Sequence, residues 1–93
     1  MIKEFKCRET EKVFNGLRST KLPVNIQQVA RRKLRMLNNA LELNDLRVPP
    51  ANRLELLKGR RRGQHSMRIN DQYRICFIWN NGHVKSVEII DYH

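Results

Sequence analysis

The chain is poor in the features that would indicate a secreted or membrane-spanning protein. It has 93 residues and two cysteines, Cys7 and Cys76, which are too few for a disulfide framework and form no CxxC pair that would indicate zinc. We interpret both as reduced thiols buried in strands. No apolar run is long enough to cross a bilayer, and the first residues lack the apolar segment of a secretion signal. We therefore expect one cytoplasmic domain over residues 1–93.

Acidic residues are also scarce. There are 9 Asp and Glu residues against 19 Lys and Arg, which gives a formal net charge of +10 and a sequence pI of about 10.5. So large a charge on a small domain favours polyanionic partners, namely nucleic acid, the ribosome or an anionic membrane. The membrane is disfavoured because no basic helix carries a bulky aromatic face. An acidic protein partner remains compatible with the composition, alongside RNA.

The first half of the chain is predicted to contain one short strand, Ile2–Cys7, and two helices. The helices are expected over Glu9–Leu17 and Asn25–Leu41, where apolar residues recur at steps of three and four. Asn25 is the expected N-cap, with Gln28 completing a capping box. The other faces of the second helix carry basic residues without interspersed acids, which a solvated face and an RNA- or ribosome-binding face explain equally well: Arg31, Arg32, Lys33 and Arg35.

After a predicted linker at residues 42–52, the pattern changes to the alternation of strands. Asn81-Gly82 is typical of a type I′ hairpin turn. The order β-α-α-β-β-β-β predicts an α+β domain with two helices on one face of a mostly antiparallel sheet of four to five strands. A basic loop supplies further candidates for RNA contact, namely Arg60, Arg61 and Arg62. The predicted strands are Leu54–Gly59, His65–Ile69, Tyr73–Trp79 and Val84–Ile90.

The predicted pairing of these strands brings like charges together. If residues 70–72 form a hairpin loop, Arg68 lies opposite Arg74, which destabilises a sheet. Such a conflict is expected where a site binds something, here an anion. An uninterrupted hairpin around Asn81-Gly82 would place Arg74 opposite Ile89. Asp91 and His93 would then share a face with both arginines, and Tyr92 would point to the other face unless the chain bends after Ile90.

This set of side chains suits the cleavage of RNA without a metal. The 2′-hydroxyl must lose a proton, the phosphate oxygens gain charge, and the 5′-oxygen needs a proton as it leaves. Arginine forks match phosphate oxygens, and an imidazole transfers protons near neutral pH. An acid can act as a base or orient the histidine, and a phenol can position the hydroxyl. Only the combination indicates a site. Elsewhere His65 is expected at the surface, and Phe77 and Trp79 in the core.

Most of the chain, and most densely its second half, resembles the HigB-type toxins of the RelE superfamily, from bacterial toxin–antitoxin modules. The resemblance rests on the unit formed by LKG, SMRINDQYRI and a terminal DYH, within residues 52–93. Weaker similarity extends to IKEFKC and ARRKLRMLNNA near the start.

The resemblance implies a microbial-ribonuclease-like domain that cuts mRNA in the ribosomal A site without a cofactor, leaving a 2′,3′-cyclic phosphate or a 3′-phosphate. It also implies inhibition by a HigA-type helix-turn-helix antitoxin, with operator DNA bound only through that complex. Some relatives have a histidine where this chain has Glu55, so either Glu55 replaces it as a base or His93 carries the proton transfer. A non-catalytic RNA- or ribosome-binding regulatory module is the alternative. The implied catalytic residues are Glu55, Lys58, Arg68, Arg74, Asp91, Tyr92 and His93.

Overall fold

The computed structural model describes residues 1–92, so the predictions made for His93 lie outside the described residues. Four antiparallel strands form one sheet in the order β1-β2-β3-β4. This arrangement confirms the α+β fold with four strands. No helix in the described part of the chain is long and apolar enough to span a membrane. The helices are α1 (Arg8–Phe14) and α2 (Val24–Asn39), and the strands are β1 (Glu55–Leu56), β2 (His65–Arg68), β3 (Tyr73–Asn80) and β4 (His83–Asp91).

The N-terminal segment is not the strand that alternation predicted. It forms two isolated parallel bridges to β4, between Ile2 and Val84 and between Phe5 and Val87. A bulge in β4, at Ser86, lies between the two bridges. Cys7, expected in this strand, is instead the half-buried residue that precedes α1.

Helix α2 packs against one face of the sheet, which we call the inner face. Its buried stripe of Ile26, Ala30, Leu34 and Leu37 belongs to one core cluster with side chains of the strands. Burial of such a stripe is the main stabilising contribution to a helix of this length. From the strands come Met67, Ile75, Phe77, Val87 and Ile89; Trp79 packs against the cluster from its edge, so the predicted core positions of Phe77 and Trp79 are confirmed.

The predicted capping box of α2 is wrong. The helix begins at Val24, one residue earlier than expected, and Pro23 precedes it without a side-chain cap. Proline presets the backbone φ angle for helix entry, here −54° at Pro23. Asn25 therefore lies inside the first turn. The helix ends at Asn39, two residues before Leu41.

The connection between α2 and β1 is more ordered than the predicted linker. It contains two 3-10 turns, Leu43–Arg47 and Pro50–Asn52. β1 is limited to two residues, far shorter than the predicted Leu54–Gly59. Three residues after β1, Gly59 adopts a positive φ of 67° at the start of the turn of the basic loop.

The hairpin register also differs from the expected one. Arg74 pairs with Ile90, not with Ile89. Two residues of β4, Ser86 and Val87, oppose the single residue Phe77 of β3, and Ser86 takes a φ of 53°. Such a bulge shifts every later residue by one position, which exchanges the sheet faces on which they lie.

Candidate active site

Arg68 and Arg74 lie directly opposite each other on β2 and β3, as predicted. Residues that pair across a sheet share a face, and these two lie on the face turned away from α2, which we call the outer face. Arg68 is half-buried and its Nη2 is paired with the carboxylate of Asp71, which is 99% exposed. A pair this exposed contributes little to stability, so the repulsion between the arginines is only weakly compensated here.

Arg74 is held much more firmly. It is buried, with 7% of its surface exposed. Its Nε donates a hydrogen bond to Ser66 Oγ at 2.7 Å, and its Nη2 donates to the carbonyl oxygen of Arg53 at 2.5 Å. These contacts fix the plane of the guanidinium, as a site for a planar pair of phosphate oxygens requires.

Glu55 and Tyr92 complete the immediate surroundings of Arg74. Glu55 pairs with Ser66 across β1 and β2, and its Oε1 lies 3.8 Å from Nη2 of Arg74. The guanidinium carbon of Arg74 lies over the ring of Tyr92, 5.6 Å from its centroid. A carboxylate and a phenol therefore flank one fixed cation.

Asp91 lies elsewhere, and its predicted placement beside Arg74 is wrong. The bulge pairs Asp91 with Tyr73, on the opposite face from Arg74. Its Oδ2 accepts a hydrogen bond from Nε2 of Gln72 at 3.0 Å. The same shift turns Tyr92, expected on the other face, toward Arg74. Asp91 therefore remains at the edge of the site, beside the β2–β3 turn.

Lys58 is exposed just beyond β1, at the start of the 3-10 turn Gly59–Arg61. Within residues 1–92, no hydrogen bond or ion pair joins it to Arg68, Arg74 or Glu55. A substrate phosphate would have to bring Lys58 into contact with the other groups.

The three arginines of the basic loop are not equivalent. Arg60 and Arg62 are exposed. Arg61 is half-buried, and its Nη1 donates to Glu88 Oε1 at 2.8 Å, an interaction that raises the pKa of Arg61. Arg61 therefore differs from the other two, because its charge is already paired within the protein, and its predicted contact with RNA stays a prediction.

The basic residues of α2 also divide. Arg32 and Arg35 are exposed and, with Arg31 and Gln28, line a depression of about 280 Å³. Arg31 is half-buried over Gly16, and a Cβ atom there would lie 2.8 Å from its Nη2. Arg31, Arg32 and Arg35 therefore remain available at the surface.

Lys33 is the exception on α2. It was expected on a solvent-facing side of the helix, but only 7% of it is exposed and its Nζ donates to Asn52 Oδ1 at 2.6 Å. The prediction of an exposed Lys33 is wrong because its long side chain reaches inward to the loop before β1.

His65, expected at the surface, is half-buried. Its ring stacks on that of Phe77 at 6.0 Å between centroids. Burial, and then the charge of Arg47, lower the pKa of His65. Burial likewise raises the pKa of the Cys76 thiol, which is confirmed as a buried strand residue.

Two groups that hold Arg74 were missed from the sequence. Ser66 precedes Arg68 by two residues, so alternation alone could have placed it on the outer face. The carbonyl of Arg53 has no sequence signature. Among residues 1–92, no group of three His, Cys, Asp or Glu side chains is arranged to hold a metal ion.

Comparison with known proteins gives a consistent result. A family model described as "RelE-like toxin of type II toxin-antitoxin system HigB" matches residues 3–93. The sequence is 40% identical over 83 residues to Toxin HigB-1 of Vibrio cholerae serotype O1, which covers 88% of this chain and 87% of that protein. It is also 41% identical over 68 residues to an uncharacterised protein of Haemophilus influenzae, covering 73% of this chain and 67% of that protein.

The fold matches solved structures as well. A heterotetrameric complex of the toxin–antitoxin pair YoeB–YefM from Staphylococcus aureus contains a chain that superimposes with a TM-score of 0.61 at 18% identity, covering 100% of this chain and 98% of that one. A second YoeB–YefM complex from the same organism gives 0.59 at 19% identity, with the same coverage. At this level of identity the likeness concerns the fold alone.

Proposed function

The chain belongs to the HigB family of RelE-like toxins of type II toxin–antitoxin systems, and from this we propose that it is an endoribonuclease that cleaves mRNA on the ribosome without a metal ion. The observation that carries the proposal is the fixed guanidinium of Arg74, which faces Arg68 and is flanked by Glu55 and Tyr92. Together they form a cationic site with a proton acceptor beside it.

The reaction follows from the chemistry of these groups. The 2′-oxygen of the RNA attacks the adjacent phosphorus and the bond to the 5′-oxygen breaks, leaving a 2′,3′-cyclic phosphate and a 5′-hydroxyl. Arg74 and Arg68 stabilise the negative charge that develops on the phosphate oxygens, with Lys58 closing on the same phosphate. Positioned charges of this kind are usually the largest single contribution to such catalysis.

Proton transfer is assigned to the remaining groups. Glu55, whose carboxylate lies 3.8 Å from Arg74, accepts the proton of the 2′-hydroxyl. His93 donates a proton to the departing 5′-oxygen, and Asp91 supports the tail from the β2–β3 turn through Gln72. Tyr92 supports the guanidinium with its ring.

Partners are proposed from charge and from the relatives. The exposed residues Arg32, Arg35, Arg60 and Arg62, with half-buried Arg31, would contact ribosomal RNA through phosphate neutralisation. We further propose that a HigA-type antitoxin inhibits the toxin, since the S. aureus YoeB chains occur in toxin–antitoxin complexes. Operator DNA would be bound through that complex.

The test is primer extension on a defined message after incubation with purified toxin and translating ribosomes. We expect new 5′ ends at A-site codons that require ribosomes. Glu55→Gln should lower the cleavage rate roughly 10²- to 10⁴-fold, as expected for loss of a general base. Glu55 is exposed, so the fold should be unaffected.

Glu11→Gln is the matched control, because Glu11 is exposed on α1 and the charge change is identical. An intact message with stalled translation would overturn catalysis in favour of a non-catalytic ribosome-binding regulator. Cleavage of free RNA at the same rate would refute the dependence on ribosomes.

A further inference from the structure

Lys33 is a buried cation without a carboxylate partner in the described part of the chain. Its ammonium donates to the neutral side-chain oxygen of Asn52 at 2.6 Å, and Asn52 is fully buried. None of the ion pairs within residues 1–92 includes Lys33. Burying a charge without a counter-ion is unfavourable, so the position calls for an explanation.

The surroundings of Lys33 increase the excess of positive charge. Burial, followed by the charges of Arg32, Arg68 and Arg74, lowers the pKa of Lys33. The charges of both arginines of the outer face thus disfavour the protonated form of Lys33. A group of cations that destabilise one another in the unliganded protein is stabilised when an anion binds among them.

Two hydrogen bonds on adjacent residues of the loop before β1 also link Lys33 to the guanidinium of Arg74: Lys33 contacts Asn52, and Arg74 contacts the carbonyl oxygen of the next residue, Arg53. Nδ2 of Asn52 donates to the carbonyl oxygen of Leu46 at 3.1 Å, which ties the loop before β1 to α2. The next residue, Arg53, has a left-handed backbone with φ 44° and ψ 57°, and its carbonyl oxygen accepts the bond from Arg74. A left-handed non-glycine residue persists only when its surroundings hold it, and the side chain of the preceding residue, Asn52, is anchored by its bonds to Lys33 and Leu46.

We propose that Lys33 is a positioning residue of the anion site: through Asn52 it fixes the carbonyl that orients Arg74, and its buried charge is balanced when Arg68 and Arg74 bind a phosphate. The inference rests on the proposed function in one respect, since it identifies that phosphate with the one in the RNA backbone. The anion site itself can be tested without RNA.

The first measurement is thermal unfolding in increasing inorganic phosphate at constant ionic strength, for the wild type, Lys33→Met and Lys21→Met. Lys21→Met is the matched control, because it has the same net charge as Lys33→Met and because Lys21 is exposed. Without phosphate, Lys33→Met should unfold within a few degrees of the wild type, because removal of a buried charge offsets the loss of the donor to Asn52. Phosphate should raise the unfolding temperature of the wild type and of the control. In Lys33→Met, the phosphate concentration that gives half of the maximal increase should be roughly tenfold higher.

The second measurement is the ribosome-dependent cleavage rate at saturating ribosomes, expected to fall about tenfold in Lys33→Met and to be unchanged in Lys21→Met. If the role of Lys33 were purely structural, Lys33→Met would instead unfold at a clearly lower temperature than the wild type. If Lys33→Met does not fold, Lys33→Gln, which retains a donor toward Asn52, takes its place in both measurements.

A phosphate response equal to that of the wild type would overturn the inference, whatever happens to cleavage. If phosphate stabilises the wild type more readily than Lys33→Met but the wild type cleaves no message, the proposed function is refuted and the anion site is supported.

Discussion

The guanidinium of Arg74 lies over the ring of Tyr92, 5.6 Å from its centroid, although an uninterrupted hairpin would put the two side chains on opposite faces. The bulge at Ser86 and Val87 makes the contact possible, because it moves the end of β4 by one residue relative to β3. The position of Tyr92 at the proposed site is therefore determined by the bulge, which lies about five residues earlier in the chain.

The first prediction concerns the ring of Tyr92. A cation–π contact at a partly exposed position contributes about 1 kcal/mol, so Tyr92→Leu should lower the cleavage rate about fivefold. Tyr92→Phe keeps the ring and should cleave at nearly the wild-type rate. Single-turnover cleavage on programmed ribosomes measures both. If Tyr92→Phe is as slow as Tyr92→Leu, the hydroxyl and not the ring is the active part.

The second prediction separates the two arginines by their structural roles. Arg74→Ala should lower the free energy of unfolding by about 2–4 kcal/mol, because it leaves a buried hydroxyl of Ser66 and the carbonyl of Arg53 without their donor. Arg68→Ala should cost less than about 1 kcal/mol, since its partner Asp71 is exposed. Urea unfolding of both variants measures the difference.

Arg68→Ala is therefore the cleaner probe of phosphate binding. We expect it to lower cleavage at least roughly tenfold while the protein stays folded at 37 °C, consistent with loss of one charge-assisted contact. Equal stability of the two variants would contradict the structural assignment, and full cleavage by a folded Arg68→Ala protein would remove Arg68 from the site.

The sequence predicted the parts of the fold that depend on local pattern. The stripe of α2, the alternation of β2 to β4 and the opposition of Arg68 to Arg74 all follow from residue spacing. The bulge does not, because its positive-φ residue is a serine and not the glycine that would mark it.

The tertiary contacts of long side chains could not be predicted from the sequence either. Lysine is usually exposed, and only the position of Asn52, 19 residues later, explains why Lys33 points inward. Arg61 and Glu88 are 27 residues apart and meet only once the loop folds over the outer face. Residue spacing thus brought Arg68 and Arg74 together, and the resemblance named Glu55 and Tyr92. The carbonyl of Arg53 that holds Arg74 and the departure of Asp91 could not be predicted.

The third prediction concerns the bulge. Ser86 has a φ of 53°, a conformation that glycine adopts without strain and β-branched residues adopt poorly. Ser86→Gly should be neutral or stabilise the protein by up to about 1 kcal/mol, whereas Ser86→Val should destabilise it by about 1–3 kcal/mol. Thermal unfolding compares the two. A Ser86→Val protein as stable as the wild type would show that the strained conformation is not required.

The last prediction is a pH dependence centred on His65. Burial and the charge of Arg47 lower its pKa, and its buried Nδ1 has no hydrogen-bond partner among residues 1–92. In the unfolded chain the imidazole binds a proton near pH 6.5, whereas the folded protein resists protonation to lower pH. Between these two values the unfolded state holds more protons, so the stability present above pH 6.5 is lost as the pH falls, by at most about 1.4 kcal/mol per pH unit.

Urea unfolding at intervals from pH 7.5 to 5.0 measures this loss. His65→Gln should be less stable than the wild type at pH 7.5, because it gives up the stacking on Phe77, but its stability should fall less steeply toward pH 5.0. His83→Gln is the matched control, since His83 is exposed at the start of β4, and this variant should follow the wild-type curve. If His65→Gln loses stability as steeply as the wild type over this range, the acid sensitivity arises from other groups, and the buried imidazole is protonated in the folded protein without cost.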